Sequence, residues 1–332
     1  MKPILAILLL LLLTACASMD QGPRPQPDWV TRMSAQYPAS QYLLGRGQAR
    51  RQDVATDRAR ADLAKNIEVQ VIEKTRDRAS ATRLRRDGAV EESFDQAVER
   101  DIRTTTAQVL RGAKVSDVWR DPETGDMHVL VTLKRMEAAR ALRDEIYNHD
   151  DLTRVAIERA RQSDDLLLKI ASMQRAVDEQ LQRTKLQRVL RVVGNGGQGV
   201  RPPWKLAALQ GELLELQSRL KIRVQSDDGS LASAVAGGLT AAGFMTASDE
   251  EALYTLRARF DGGPPSRREG WYWLRGNLEL KLVDPAGNVR GTASWPLKVS
   301  AQEKSLLRPR LRQLIDRTLK DELRGVILGF AQ

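Results

Sequence analysis

Tyr42-Leu43-Leu44-Gly45-Arg46-Gly47-Gln48-Ala49, followed by residues 53–66, decides how the first part of this chain folds. The eight quoted residues read as a short strand with glycines toward its end. After them, Ala55, Ala59, Leu63 (or Ala64) and Ile67 recur on one helical face, with Asp53 placed as an N-cap. Ile67, Val69 and Val71 alternate with polar residues, so a strand is expected next. Residues 74–90 are polar and charge-rich and read as a loop or exposed element, and residues 91–109 as a helix. Two strands, residues 115–120 and 127–133, flank Asp121-Pro122-Glu123-Thr124-Gly125-Asp126, where proline early and glycine late suit a hairpin turn. Residues 28–135 are therefore expected to be an α+β domain, a small antiparallel sheet covered by helices.

Toward the C-terminus, residues 136–220 are expected to be a long helical arm. Leu152, Val155, Arg159 and Gln162 form an imperfect stripe, and Ile170, Met173, Val177, Leu181 and Leu186 a clearer one, which suits a helical pair or coiled-coil segment. A glycine- and proline-rich hinge at 194–203 interrupts the arm. It lacks the strand before, the helix after and the Lys-Ser/Thr of a phosphate loop. Leu206, Leu209, Leu213, Leu216 and Leu220 then resume a helix. Residues 221–332 read β-α-β-β-β-α, a second α+β domain. Its hairpin turns at Asp284-Pro285-Ala286-Gly287-Asn288, and its last helix carries Leu307, Leu311, Leu314, Leu319, Leu323 and Val326 at helical spacing.

Upstream of the first domain, Lys2 is a short positive region and residues 4–13 an apolar run too short to span a bilayer. Leu13-Thr14-Ala15-Cys16 resembles a lipobox, the recognition sequence of bacterial lipoproteins. The resemblance implies a signal peptide over 1–15, cleavage before Cys16, diacylation of its thiol and acylation of the new amino group. Ala17, where lipoproteins retained at the inner membrane carry Asp, implies the periplasmic face of the outer membrane. One acyl chain binds a membrane only marginally, whereas several on one residue make a lasting anchor. Residues 16–27, polar and proline-rich, read as a flexible tether.

The net charge of +10 ordinarily raises a nucleic-acid reading, but 53 basic residues are mixed with 43 acidic ones, and an exported lipoprotein does not meet the chromosome. No nucleic-acid partner is expected. Histidine occurs only as His128, within a strand, and His149, read as lying at a helix end in Tyr147-Asn148-His149-Asp150. With Cys16 the sole cysteine, neither a closed zinc site nor a thiol nucleophile can be composed. No Gly-x-Ser-x-Gly elbow occurs. No catalytic residue, cofactor or metal is expected, and the chain reads as a non-enzyme.

Trp271-Tyr272-Trp273 is the most unusual cluster. In a strand, residues 271 and 273 share one face and 272 takes the other. Two readings stand: the tryptophans pack into the core, or they form an exposed platform for sugar rings or a protein partner, flanked by the cations Arg267 and Arg268.

Pro27-Asp28-Trp29, the strand with Gly45, Gly47 and Ala49, and the helix with Ala55, Ala59-Arg60-Ala61-Asp62-Leu63-Ala64 and Ile67 resemble the LPP-twenty lipoprotein family. A Gly-x-Gly-x-Ala strand precedes an Ala-Arg-x-x-Leu-Ala helix in that family, and the strand pair around Trp119 and residues 129–133 also fits. The resemblance covers residues 27–135. It implies a non-enzymatic outer-membrane lipoprotein of small sheet-plus-helix fold that tends to assemble, and the family includes a flagellar lipoprotein. The function expected is a scaffold or assembly factor of a cell-envelope structure, self-associating or holding a periplasmic protein. The alternative is a regulator that contacts a peptidoglycan synthase or binds peptidoglycan.

Overall fold

A computed structural model describes residues 24–32, 34–82, 91–248 and 250–331. The expected signal peptide, Cys16 and most of the tether lie outside these residues. The chain is α+β, as expected, and divides into two compact units: the described residues up to Asp144 with Lys185–Gly199, and Glu145–Thr184 with Val200 onward.

In the first unit a single turn α1 (Asp28–Thr31) leads to β1 (Tyr42–Ala49), α2 (Gln52–Thr82), α3 (Glu91–Val109), β2 (Lys114–Arg120) and β3 (Met127–Lys134). The sheet is antiparallel in the order β1-β3-β2, with Gly45 opposite Val131 and Val118 opposite Val129. Helix α2 lies on β1 because two strand residues lack a side chain. A Cβ on Gly45 would fall 2.1 Å from the Ala59 carbonyl oxygen, and one on Gly47 2.0 Å from that of Ala55. Ala55, Ala59, Leu63, Ile67 and Val71 are all buried along this seam.

The strand expected at 67–71 is instead helix, and residues 74–82 continue it. Ile67 and Val71 extend the four-residue stripe of Ala59 and Leu63, whereas Val69 is 43% exposed on the far side. The local alternation was a by-product of a longer helical period. Asp53 stands in the first turn, after Gln52, rather than as the residue preceding the helix. Its carboxylate is held below the ordinary range first by Arg51 and then by the Val54 N–H.

Helices α4 (Arg135–Gln162) and α5 (Leu166–Val193) follow, and the division between the units runs through both. In the second unit they are joined by α6 (Leu206–Arg219), β4 (Lys221–Gln225), α7 (Gly229–Ala241), β5 (Met245–Thr246), β6 (Tyr254–Gly262), β7 (Ser266–Arg268), β8 (Trp271–Val283), β9 (Val289–Ala301) and α8 (Leu307–Gly329). Two short strands, β5 and β7, are additions to the expected order. Strand β4 pairs in parallel with β5 and β6, and the remaining pairs are antiparallel. A single core gathers Ile170 and Met173 of α5, Leu239 of α7, Leu278 and Leu280 of β8, and Leu319 and Leu323 of α8.

His149 is not at a helix end; it lies well inside α4, where Nδ1 is 2.7 Å from Glu179 Oε2. The polar run around it continues the helix because Asp150 is buried and paired. Arg183 Nε donates to Asp150 Oδ1 at 2.7 Å, and Gln180 Nε2 donates to Asp150 Oδ1 and Thr153 Oγ1 at 3.0 Å each. The stripe expected from Leu152 and Val155 is correspondingly displaced. Val155 is exposed, and Ala138, Ala139, Leu142, Ile146, Asp150, Thr153, Ala156, Ile157 and Ala160 are the buried residues of α4. A further lock joins the turn before α5 to the sheet. Asp165 caps α5 by accepting from the Leu167 and Leu168 N–H groups, and also meets Tyr254 Oη at 3.3 Å and Arg290 Nη1 at 2.5 Å. Burial pushes its carboxyl up, but Arg290 and the two N–H groups overcome that and hold it low.

Candidate interaction surface

One face of the second unit's sheet is covered by helices and the other is open, as strand alternation requires of a sheet packed on one side. On β8, Leu274, Leu278, Leu280 and Leu282 are buried, whereas Trp271, Arg275, Asn277 and Lys281 are exposed. On β6, Leu256 and Ala258 go in and Arg257 and Arg259 go out; on β9, Leu297 and Val299 go in and Lys298 goes out.

The tryptophans belong to the open face. Trp271 is 39% exposed, and Trp273 is half-buried beneath Lys298, whose Nζ lies 4.4 Å from the ring centroid. Tyr272, not the tryptophans, turns inward and packs against the core, with the Arg267 guanidinium 5.4 Å from its ring. Arg267 and Arg268 are exposed on β7 and face Tyr272 and Trp271 in register. Strand β7 exists because the two residues before Trp271, Glu269 (φ 52°) and Gly270 (φ 79°), both adopt left-handed backbone, the geometry of a two-residue hairpin. A glycine just ahead of an alternating run was the available signal for this hairpin.

The cross-strand pairs on this face are electrostatically lopsided. Arg257 stands directly opposite Lys281, and Arg275 opposite Lys298; only Arg259 opposite Glu279 is complementary. Like charges directly opposite each other destabilise a sheet. Glu279 relieves this in part, lying 2.6 Å from Lys281 Nζ. Asn277 and Ser294 share a pair of hydrogen bonds between the cations. The result is a broad, cation-rich sheet face with two indole rings at one end. Of the residues singled out in the sequence, Trp271, Trp273 and Arg268 belong to this face, whereas Arg267 is paired with the inward-turned Tyr272. Sequence reading missed Arg257, Arg259, Arg275, Lys281 and Lys298, which gather only when the three strands align.

The first unit has a different polar centre, at the point where the chain enters the domain. Asp117 accepts both Arg24 guanidinium nitrogens, at 2.8 and 2.9 Å, the Trp29 indole N–H at 2.7 Å and the Val118 N–H at 2.9 Å. In return Trp119 Nε1 donates to the Arg24 carbonyl at 2.9 Å, and Trp29, Trp119 and Leu130 pack together. Residues 24–29 are thus clasped to β2 through one carboxylate. Asp117 is held below the ordinary carboxylate range, first by Arg24 and, against the effect of burial, by Trp29 and the Val118 N–H.

His128 stacks at a tilt on Trp119, with ring centroids 5.2 Å apart. Among the described residues no cluster of His, Cys, Asp and Glu could hold a metal ion, and no helix is long and apolar enough to cross a membrane.

No curated protein matches the chain. Among solved structures, a minor lipoprotein from Acinetobacter baumannii is 19% identical, with a TM-score of 0.28 over 33% of this chain and 91% of that one. The secreted protein HP1454 from Helicobacter pylori is 16% identical, with a TM-score of 0.43 over 87% of this chain and 97% of that one. Lipoprotein GNA1162 from Neisseria meningitidis is 12% identical, with a TM-score of 0.20 over 30% of this chain and 96% of that one. From the clasp at Trp29, through the glycine seam of β1 and α2, to the end of β3, the N-terminal third of the chain matches the LPP20 lipoprotein family, over residues 27–134.

Proposed function

We propose that this protein is an outer-membrane lipoprotein, anchored through Cys16 with its body in the periplasm, and a non-catalytic scaffold or assembly factor that docks an acidic envelope partner on the open sheet face of its second unit. The observation that carries the reading is the register that sets like charges opposite each other, Arg257 with Lys281 and Arg275 with Lys298, on one uncovered face beside Trp271 and Trp273. An anionic partner would offset a repulsion that Glu279 relieves only in part. The indole rings would supply the desolvated anchors that interfaces favour. The match of residues 27–134 to the LPP20 lipoprotein family supports the anchored placement.

The test is capture of partners from a detergent extract of the host envelope by the full lipidated chain, beside a variant carrying Arg257→Glu, Arg275→Glu and Trp271→Ala. A protein retained by the parent and lost by the variant supports docking through this face. Equal capture by both chains removes the face from the function. Sedimentation of the full chain bears on assembly, and a strict monomer with no captured partner overturns the scaffold reading.

The alternation of indole faces with cations and the Asn277–Ser294 pair also favours the regulator reading, in which the face binds peptidoglycan, a polymer with both sugar rings and carboxylates. Co-pelleting with insoluble murein distinguishes this reading from protein docking.

A further inference from the structure

A groove of about 790 Å³ opens in the second unit on the covered side of the sheet, away from the tryptophans. Its size lies within the roughly 300–1,000 Å³ of small-molecule sites. Two kinds of surface line it. Leu231 and Ala234 of α7, Phe260 and Leu274 of the sheet, and Leu307 and Leu311 of α8 make an apolar wall. Lys304, Arg308 and Arg312, spaced four residues apart, bring three cations to the same groove from one side of the last helix and the turn before it. The only carboxylate of the lining, Asp228, is already engaged: it caps α7 by accepting from the Ser230 and Leu231 N–H groups and the Ser230 hydroxyl. Its negative charge lies near Arg308, one cation among the three of the lining.

The two surfaces restrict the occupant. A small hydrophilic anion would satisfy the cations and leave the apolar wall wet. A purely apolar molecule would fill the wall without using the cations. A molecule with a hydrocarbon chain and an anionic head uses both, with the chain along α7 and the sheet and the head at the 304–312 stripe. We propose that this groove binds a single-chain anionic amphiphile, with a carboxylate or phosphate head. The site is separate from the sheet face and does not depend on its role.

The test is photolabelling of the full chain in lipid nanodiscs with diazirine-bearing dodecanoic acid, dodecyl phosphate and dodecanol, followed by peptide mapping. Labelling within 228–234, 260–265 or 304–315 by the acid or the phosphate, and weakly by the alcohol, is expected; which head labels better identifies the source. The combined change K304E, R308E and R312E should reduce labelling roughly tenfold or more, the ratio set by losing a charge-assisted contact. Ala234→Trp, which fills the groove and keeps its cations, should reduce it as well. An unchanged thermal transition shows that either variant is folded. Equal labelling by dodecanol, labelling confined to other peptides, insensitivity to both variants, or full displacement by inorganic phosphate alone would each overturn the proposal.

Discussion

Gly45 and Ala59 meet backbone to backbone: a Cβ placed on Gly45 would lie 2.1 Å from the Ala59 carbonyl oxygen and 2.6 Å from the Leu63 Cβ. Neither neighbour is the free end of a side chain, so an added methyl must push helix α2 off strand β1. Gly45→Ala is expected to destabilise the first unit by about 1–3 kcal/mol or more, as overpacking does. Urea denaturation with a probe in this unit reads the effect. A matched control is Gly211→Ala, whose Cβ meets nothing within 4 Å inside α6. That change should stabilise the second unit by about 0.5–1 kcal/mol.

Arg183 and Asp150 form a buried ion pair, with side chains 3% and 10% exposed. Removing one partner leaves the other charge without compensation. Asp150→Ala is expected to cost about 3–5 kcal/mol, while replacing both residues by apolar groups of similar volume is expected to cost far less. Thermal melts of the single and double variants decide this. Equal losses in both would mean that the pair itself, not the orphaned charge, carries the stability.

Acid should open the clasp at the entry to the first unit. The folded Asp117 carboxyl sits below its ordinary value, so its contribution is complete above the ordinary aspartate range, about 4, and is lost as pH falls through the depressed folded value. Trp29 and Trp119 report it directly. Their fluorescence should change below about pH 4, and Asp117→Asn should show the altered signal already at neutral pH, since the charged bond from Arg24 is gone.

Arg275 faces Lys298 across β8 and β9. Replacing Arg275 with Glu turns a like-charge pair into an attractive one and should stabilise the second unit by about 0.2–1 kcal/mol. The same change should weaken capture of an acidic partner. Greater stability together with undiminished capture would show that the cations of this face are surface solvation only.

Periodicity and turn chemistry exposed most of the architecture. The hairpin at Asp121–Asp126, the helix ending at Val109, the long leucine-bearing last helix and the strand with Gly45 and Gly47 were all legible, because each depends on neighbours within about one turn or one strand. The failures were of two kinds. Residues 67–71 looked like a strand because a short window cannot tell a two-residue alternation from one segment of a four-residue stripe. His149 looked like a helix end because the partners of this polar run, Glu179 for His149 and Gln180 and Arg183 for Asp150, are some thirty residues away in sequence.

By itself the sequence determined the α+β class and the strand that carries Gly45 and Gly47, since these follow from backbone freedom and short-range spacing. Only the tertiary structure decided that Trp271 and Trp273 face solvent while Tyr272 faces the core, that five cations from three strands share one surface, and that a cation-lined groove lies on the opposite side. The reason is register. Which face of a strand is covered depends on where distant helices pack, and a shift of one residue would exchange every inward side chain for an outward one.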